Sequence, residues 1–256
     1  MLKASENYVR KLIDEGMRID ERKFDEFRKI KIETNVIKKA EGSARVLLGN
    51  THVLVGVKLS VGEPFPDSPD EGVLIVNAEL VPVASPTFDP GPPDENAIEL
   101  ARVIDRGIRE SKCIDLEKLC IEEDKKVWIV NIDIHVLDHD GNLIDASALG
   151  AIAALLNSNI PKYEDEKVMY GIYEGKIPIK DTPIAITVTK ISTKLLIDPD
   201  LEEENALDAR ITISTNEKGE LCAIQKGGIG FFTTDEIKEA TNLSIAKGKE
   251  LRALVK

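Results

Sequence analysis

The apolar positions of this chain switch repeatedly between two periods, and the switches divide it into elements. Tyr8, Val9, Leu12 and Ile13 recur at helical spacing, and Gly16 supplies a stop, which predicts a first helix over 5–15. β-like runs follow at 29–37, 43–48, 51–59 and 73–83, with Gly49-Asn50 as a two-residue hairpin turn between two of them. Most of the prolines fall within 61–94, which marks two loops there. Helical spacing returns over 94–114 and a strand is predicted over 127–137. Asp140-Gly141 then turns the chain into a helix over 145–157. That helix is rich in alanine and glycine, so it is expected to lie deep and close to its neighbours.

Residues 161–181 read as a linker, after which the pattern restarts. Strands are predicted at 184–189, 193–197, 209–215 and 221–225. Lys226-Gly227-Gly228-Ile229-Gly230 lacks a phosphate-loop ending and reads as a turn into a last helix. Thr233 and Glu236 form a capping-box pair at the start of that helix. Each half therefore carries strands followed by a helix, an α+β pattern without a residue-level repeat.

Composition narrows the class. The chain has 256 residues and a net charge of −12, with 42% hydrophobic residues. No apolar run approaches the ~20 residues of a membrane span, and no apolar signal core follows Met1, so a cytoplasmic protein with no membrane partner is expected. Cys113, Cys120 and Cys222 cannot all pair and match no zinc spacing, so they read as free thiols. The acidic balance opposes nucleic-acid binding unless the cations are concentrated in one place.

Such a concentration exists. Between Leu59 and Ala101 there is no Lys or Arg, and nine acidic residues occur. Arg102, Arg106 and Arg109 then follow at spacings of four and three, on the side of their helix opposite its apolar face. Guanidinium forks match phosphate oxygens in pairs. The competing interpretation is a solvated face with Asp105 and Glu110 as local partners. Six acids within 198–208 could supply oxygen ligands to a metal, but read more simply as a solvated turn. His52 and His135 read as strand residues, and Trp128 as core.

Four motifs in order resemble RNase PH-like proteins. They are Gly16-Met17-Arg18-Ile19-Asp20-Glu21-Arg22; Gly42-Ser43-Ala44-Arg45-Val46 with Gly49-Asn50-Thr51; Arg106-Gly107-Ile108-Arg109-Glu110-Ser111; and the small-residue helix ending at Ile160-Pro161. The resemblance implies two β-α-β-α-type halves packed together. It divides the chain into an N-terminal segment 1–27, a first half 28–162 and a second half 163–256. It also implies a ring of six domains whose active members cleave RNA from the 3′ end with inorganic phosphate.

Active relatives hold phosphate with a Gly-(Thr or Ser)-Arg loop, where this chain has Asn142-Leu143-Ile144. Their catalytic carboxylate falls on Arg210, and the earlier acid of the pair on Glu204. The chain thus resembles the non-catalytic RNase PH-like subunit of the archaeal exosome ring. The resemblance implies no cofactor, no catalytic residue and no metal ligand of its own. The implied partners are a catalytic RNase PH-like sister in three heterodimers, RNA-binding cap subunits, and single-stranded RNA gripped by Arg102, Arg106 and Arg109. The competing expectations are an active phosphate-dependent 3′-to-5′ exoribonuclease using Glu204 or Asp208, and an assembly subunit that binds no RNA.

Overall fold

The computed structural model describes residues 5–255; residues 1–4 of the N-terminal stretch, and Lys256, lie outside the described residues. Helix α1 (Glu6–Asp14) starts on the Ser5 side chain and ends in a left-handed turn at Gly16, where the Met17 and Gly16 amides donate to the Leu12 and Ile13 carbonyls. Strands β1 (Ile30–Thr34), β2 (Gly42–Leu48), β3 (Thr51–Gly62) and β4 (Val73–Leu80) follow. Next come α2 (Glu95–Glu110), a 3₁₀ turn at Leu116–Leu119, β5 (Cys120–Glu122) and β6 (Lys126–Asp138). Helix α3 (Leu143–Leu156) precedes β7 (Asn159–Glu164) and β8 (Lys167–Lys176). The chain closes with β9 (Ile184–Ile191), β10 (Lys194–Ile197), α4 (Leu201–Asn205), β11 (Ala209–Thr215), β12 (Leu221–Gly227) and α5 (Thr234–Val255).

The strands form a sheet ordered β1-β2-β3-β6-β4 with β5 on β6, a second sheet ordered β10-β9-β11-β12, and the β7-β8 pair. In β3, burial alternates residue by residue, so Val53, Val55, Val57 and Leu59 face inward. Helix α3 packs against β2 and β3 on one side and β9 on the other, and every residue from Ile144 to Leu155 is buried. Its alanines and Gly150 give the close approach expected of a small-residue helix, and Ile144, Leu149, Ile152 and Leu155 join one core with both sheets. Burying each such large aliphatic side chain contributes roughly 1.5–3 kcal/mol. Helix α2 lies beside α3 and touches β4, β9 and β12.

Three expectations change. The stretch read as a linker contains the β7-β8 hairpin, and β7 itself runs across 162/163. Its turn uses Asp165 and Glu166 with positive φ, and most of β8 is exposed, so neither a glycine signal nor an alternating burial pattern marks it. Helix α2 stops at Glu110 because Lys112 takes the left-handed conformation, with the Lys112 and Cys113 amides donating to the Arg109 and Ile108 carbonyls. Glycine usually fills that place, so the sequence offered no stop. The acidic stretch 198–208 is no solvated turn: it holds α4, with Asp200 and Glu203 in a capping box, and Asp198 and Glu203 are fully buried.

Candidate functional site: a cleft beside an arginine groove

The opening motif explains the buried acids. Arg18 donates from Nε and Nη2 to the two Glu203 carboxylate oxygens at 2.8 and 2.5 Å, and from Nη1 and Nη2 to the Ile197 and Asp198 carbonyls. Asp198 Oδ2 accepts from Arg22 Nη1 at 3.0 Å and from the Arg28 amide at 2.7 Å. Its Oδ1 accepts from Arg28 Nη2 at 2.7 Å and Asn142 Nδ2 at 2.9 Å. Burial alone would raise the Asp198 pKa, but the bonds and charge of Arg28 outweigh it and hold the carboxylate below its usual range. Gly141 seats the start of α3 on this network: its φ is +82°, and a Cβ there would meet the Asp200 and Pro199 backbones at 2.5 Å. These acids are therefore spent on arginines 170 or more residues away in sequence.

Asn142, in the left-handed conformation, is the N-cap residue of α3. Its Nδ2 also donates to Asp145 Oδ2 at 3.2 Å, and Asp145 accepts from the Thr187 amide at 3.1 Å. Burial pushes the Asp145 carboxyl up to about 7 against those bonds.

In front of the network lies a cavity of about 250 Å³ whose lining includes Phe88, His139, Leu143, Ile144, Glu204 and Arg210. Leu143, Ile144, Glu204 and Arg210, all singled out by the motif comparison, thus meet on one cleft, with Asn142 outside its lining. Leu143 and Ile144 present no side-chain donors to an anion. Arg210 is a permanent cation, and so cannot move a proton. Its Nη2 is 2.8 Å from Glu99 and its Nη1 is 3.9 Å from Glu204. Burial raises the Glu204 pKa, with Arg210 pulling the other way. Phe88 and His139 stack with ring centroids 5.3 Å apart, and burial lowers the His139 pKa, which keeps the imidazole neutral near pH 7. Asp208 does not line the cleft; it pairs with Arg10 at 2.9 Å and accepts from the Ser192 amide. His52 and His135 are strand residues, the latter 3.2 Å from Glu79, and Trp128 is buried.

A groove of about 450 Å³ adjoins the cleft, lined by Glu95, Ile98, Glu99, Arg102, Val103, Arg106 and Gln225. Gly107 lets α2 come close to the second sheet, since a Cβ there would stand 3.0 Å from Ser214 Oγ. The structure divides the three arginines. Arg102 is exposed and pairs with none of the described residues. Arg106 is held by Gln225 Oε1 at 2.9 Å, with the rest of its fork open. Arg109 is turned away: it makes two bonds to Asp105 and one to the Leu74 carbonyl, and the Asp105 bond holds its guanidinium charged. Gln225 and Glu99 were not singled out from the sequence. Glu95 and Glu99 do precede Arg102 on the same helical stripe, but nothing local points to Gln225, which arrives from the second half through β12.

Comparison with known proteins agrees with this architecture. Residues 26–161 match the 3′ exoribonuclease family, domain 1, and residues 181–247 match domain 2. The chain is 54% identical over 244 residues to the exosome complex component Rrp42 of Methanopyrus kandleri, covering 94% of this chain and 91% of that protein. It is 52% identical over 259 residues to that of Thermococcus kodakarensis, covering 100% and 95%. Among solved structures, a chain of the Archaeoglobus fulgidus exosome with RNA bound to the active site superposes with a TM-score of 0.92 at 52% identity, covering 98% of this chain and 97% of that one. A chain of an archaeal exosome core superposes at 0.88 with 48% identity, covering 98% and 95%. With both family domains present in order, this chain belongs to the RNase PH-like 3′ exoribonuclease family.

Proposed function

We propose that this chain is the non-catalytic ring subunit of an archaeal exosome, paired with a catalytic RNase PH-like sister in three heterodimers. It works in the cytoplasm beneath RNA-binding cap subunits. Its own contribution is to complete the ring and to grip single-stranded RNA, while the sister carries out phosphate-dependent cleavage from the 3′ end.

One observation carries this reading: a degenerate cleft and an arginine groove lie side by side. Phosphorolysis needs donors for the attacking phosphate and a carboxylate or metal at the leaving oxygen. At the place of the family's phosphate loop the cleft has Leu143 and Ile144, and at the place of its carboxylate an Arg210 already paired with Glu99. The groove keeps what binding alone requires, two exposed guanidinium groups on a rigid helix. Active chemistry through Asp208 is disfavoured by its engagement with Arg10.

Reconstitution tests the reading. Mixed with the sister subunit, the chain should assemble into a ring with a mass of three heterodimers. Replacing Arg102 and Arg106 together with alanine should leave that mass intact and lower the salt slope of RNA binding by about 0.7 per lost phosphate contact. An unchanged slope would make the groove a merely solvated face.

A further inference from the structure

Among the described residues, Glu99 is the only one lining both the cleft and the arginine groove. We infer that Glu99 acts as an internal stopper, occupying Arg210 so that the degenerate cleft is closed to inorganic phosphate. The inference concerns the cleft alone and does not depend on Arg102 or Arg106 gripping RNA.

Among the described residues, Arg210 is the one arginine or lysine on the cleft lining. Its stem lies against Gly227, where an added Cβ would come within 2.8 Å of Nε. One guanidinium nitrogen is bonded to Glu99 and the other stands near Glu204, so both ends of the fork face carboxylates. Two acids against one cation make the cleft unfavourable for an anion, whatever its shape. The remaining lining is not hostile to phosphate. Asn205 offers a side-chain amide, Asn96 and Thr87 offer donors partly engaged by Asp94 and Ser85, and the cleft has room for a small ion. The Glu99 carboxylate thus already fills the role at Arg210 that a phosphate oxygen would fill. Glu99 comes from α2 and Arg210 from β11, so the pair also bridges the two halves beside the groove.

The consequence is one of selectivity. A cleft that captured phosphate would hold a reactant where no chemistry follows. With Glu99 in place, phosphate is left to a competent site elsewhere.

Titration of the full chain with inorganic phosphate, followed by calorimetry and ³¹P NMR in phosphate-free buffer, tests the inference. Wild type should show no saturable site that depends on Arg210. Glu99→Gln and Glu99→Ala should each create one, at least about tenfold tighter than the upper limit on wild-type binding, the scale of removing one like charge beside the ligand. Adding Arg210→Ala to either should abolish the gain. Glu99 is more than a third exposed on a helix surface, so both variants should keep the wild-type melting curve. Folded variants with no new site, or a wild-type phosphate site that Arg210→Ala removes, would overturn the inference. Neither outcome bears on RNA binding through α2, which the salt slope reads separately.

Discussion

The same side chain is used in opposite ways on the two sides of the cleft. Behind it, Arg18, Arg22 and Arg28 are largely buried, and their donors go to Glu203, Asp198, Asp20, Asp140 and backbone carbonyls. Beside it, Arg102 and Arg106 stand on the exposed face of α2, with a single hydrogen bond to Gln225 between them. A guanidinium pinned by two carboxylate oxygens in a dry interior fixes structure and has nothing left for a ligand. One left in water keeps its fork for phosphate. Partner geometry, more than residue type, decides which arginines keep donors open to a ligand.

The sharpest way to break this contrast is to cut the buried side. Arg28→Ala would leave Asp198 charged and under-satisfied in the interior, and should cost about 3–5 kcal/mol in chemical denaturation. Arg102→Ala should fall within about 0.5 kcal/mol of wild type, as exposed substitutions do. Comparable losses for the two would erase the distinction.

A second effect separates the two regions by pH. Asp145, behind the cleft, has its pKa raised from 3.8 to about 7 by burial. Between those values the folded chain keeps a proton that the unfolded chain has released. Its contribution is therefore complete below 3.8 and is lost as pH rises through about 7, on the order of 4 kcal/mol in all. Asp198 has the opposite sign: its pKa is lowered, so its contribution is present above 3.8 and disappears as pH falls further. Asp145→Asn should flatten the fall in stability between about pH 4 and pH 7 and leave the acid limb in place. A pH profile parallel to wild type would show that Asp145 does not hold that proton.

Smaller effects sharpen the exposed side. Arg109→Ala should change the RNA salt slope much less than Arg106→Ala, because Asp105 and Leu74 already hold Arg109. Gln225→Ala should leave the slope unchanged and weaken RNA binding only about two- to fivefold, since it frees Arg106 to wander without removing its charge. The affinity of single-stranded RNA at two salt concentrations checks both.

Much of the fold could be read directly. The Gly49-Asn50 hairpin pairs Leu48 with Thr51, and Thr233 and Glu236 exchange the two bonds of a capping box. These features are local, and the residues that make them lie within a few positions of one another. What escaped was long-range or backbone-borne. No neighbour of Asp198 announces that Arg28 will bury it, and Lys112 is an ordinary residue in a conformation usually kept for glycine. The β7-β8 pair lacks the alternation that a buried face imposes. At the site, helical spacing placed Arg102, Arg106 and Arg109 on one face, but the capture of Arg109 by the Leu74 carbonyl belongs to the packing of α2 on β4. The meeting of Leu143, Ile144 and Arg210 on one cleft came from motif comparison, and Glu99 entered only through the structure.

The central claim is that this chain supports RNA degradation without performing it. Its most direct test is the shortening of poly(A) in phosphate buffer, measured for the chain alone, the sister subunit alone and the two combined. The account predicts no shortening by this chain alone and a rate for the pair that exceeds the sister's own. Phosphate-dependent shortening by the purified chain, with no sister present, would contradict it.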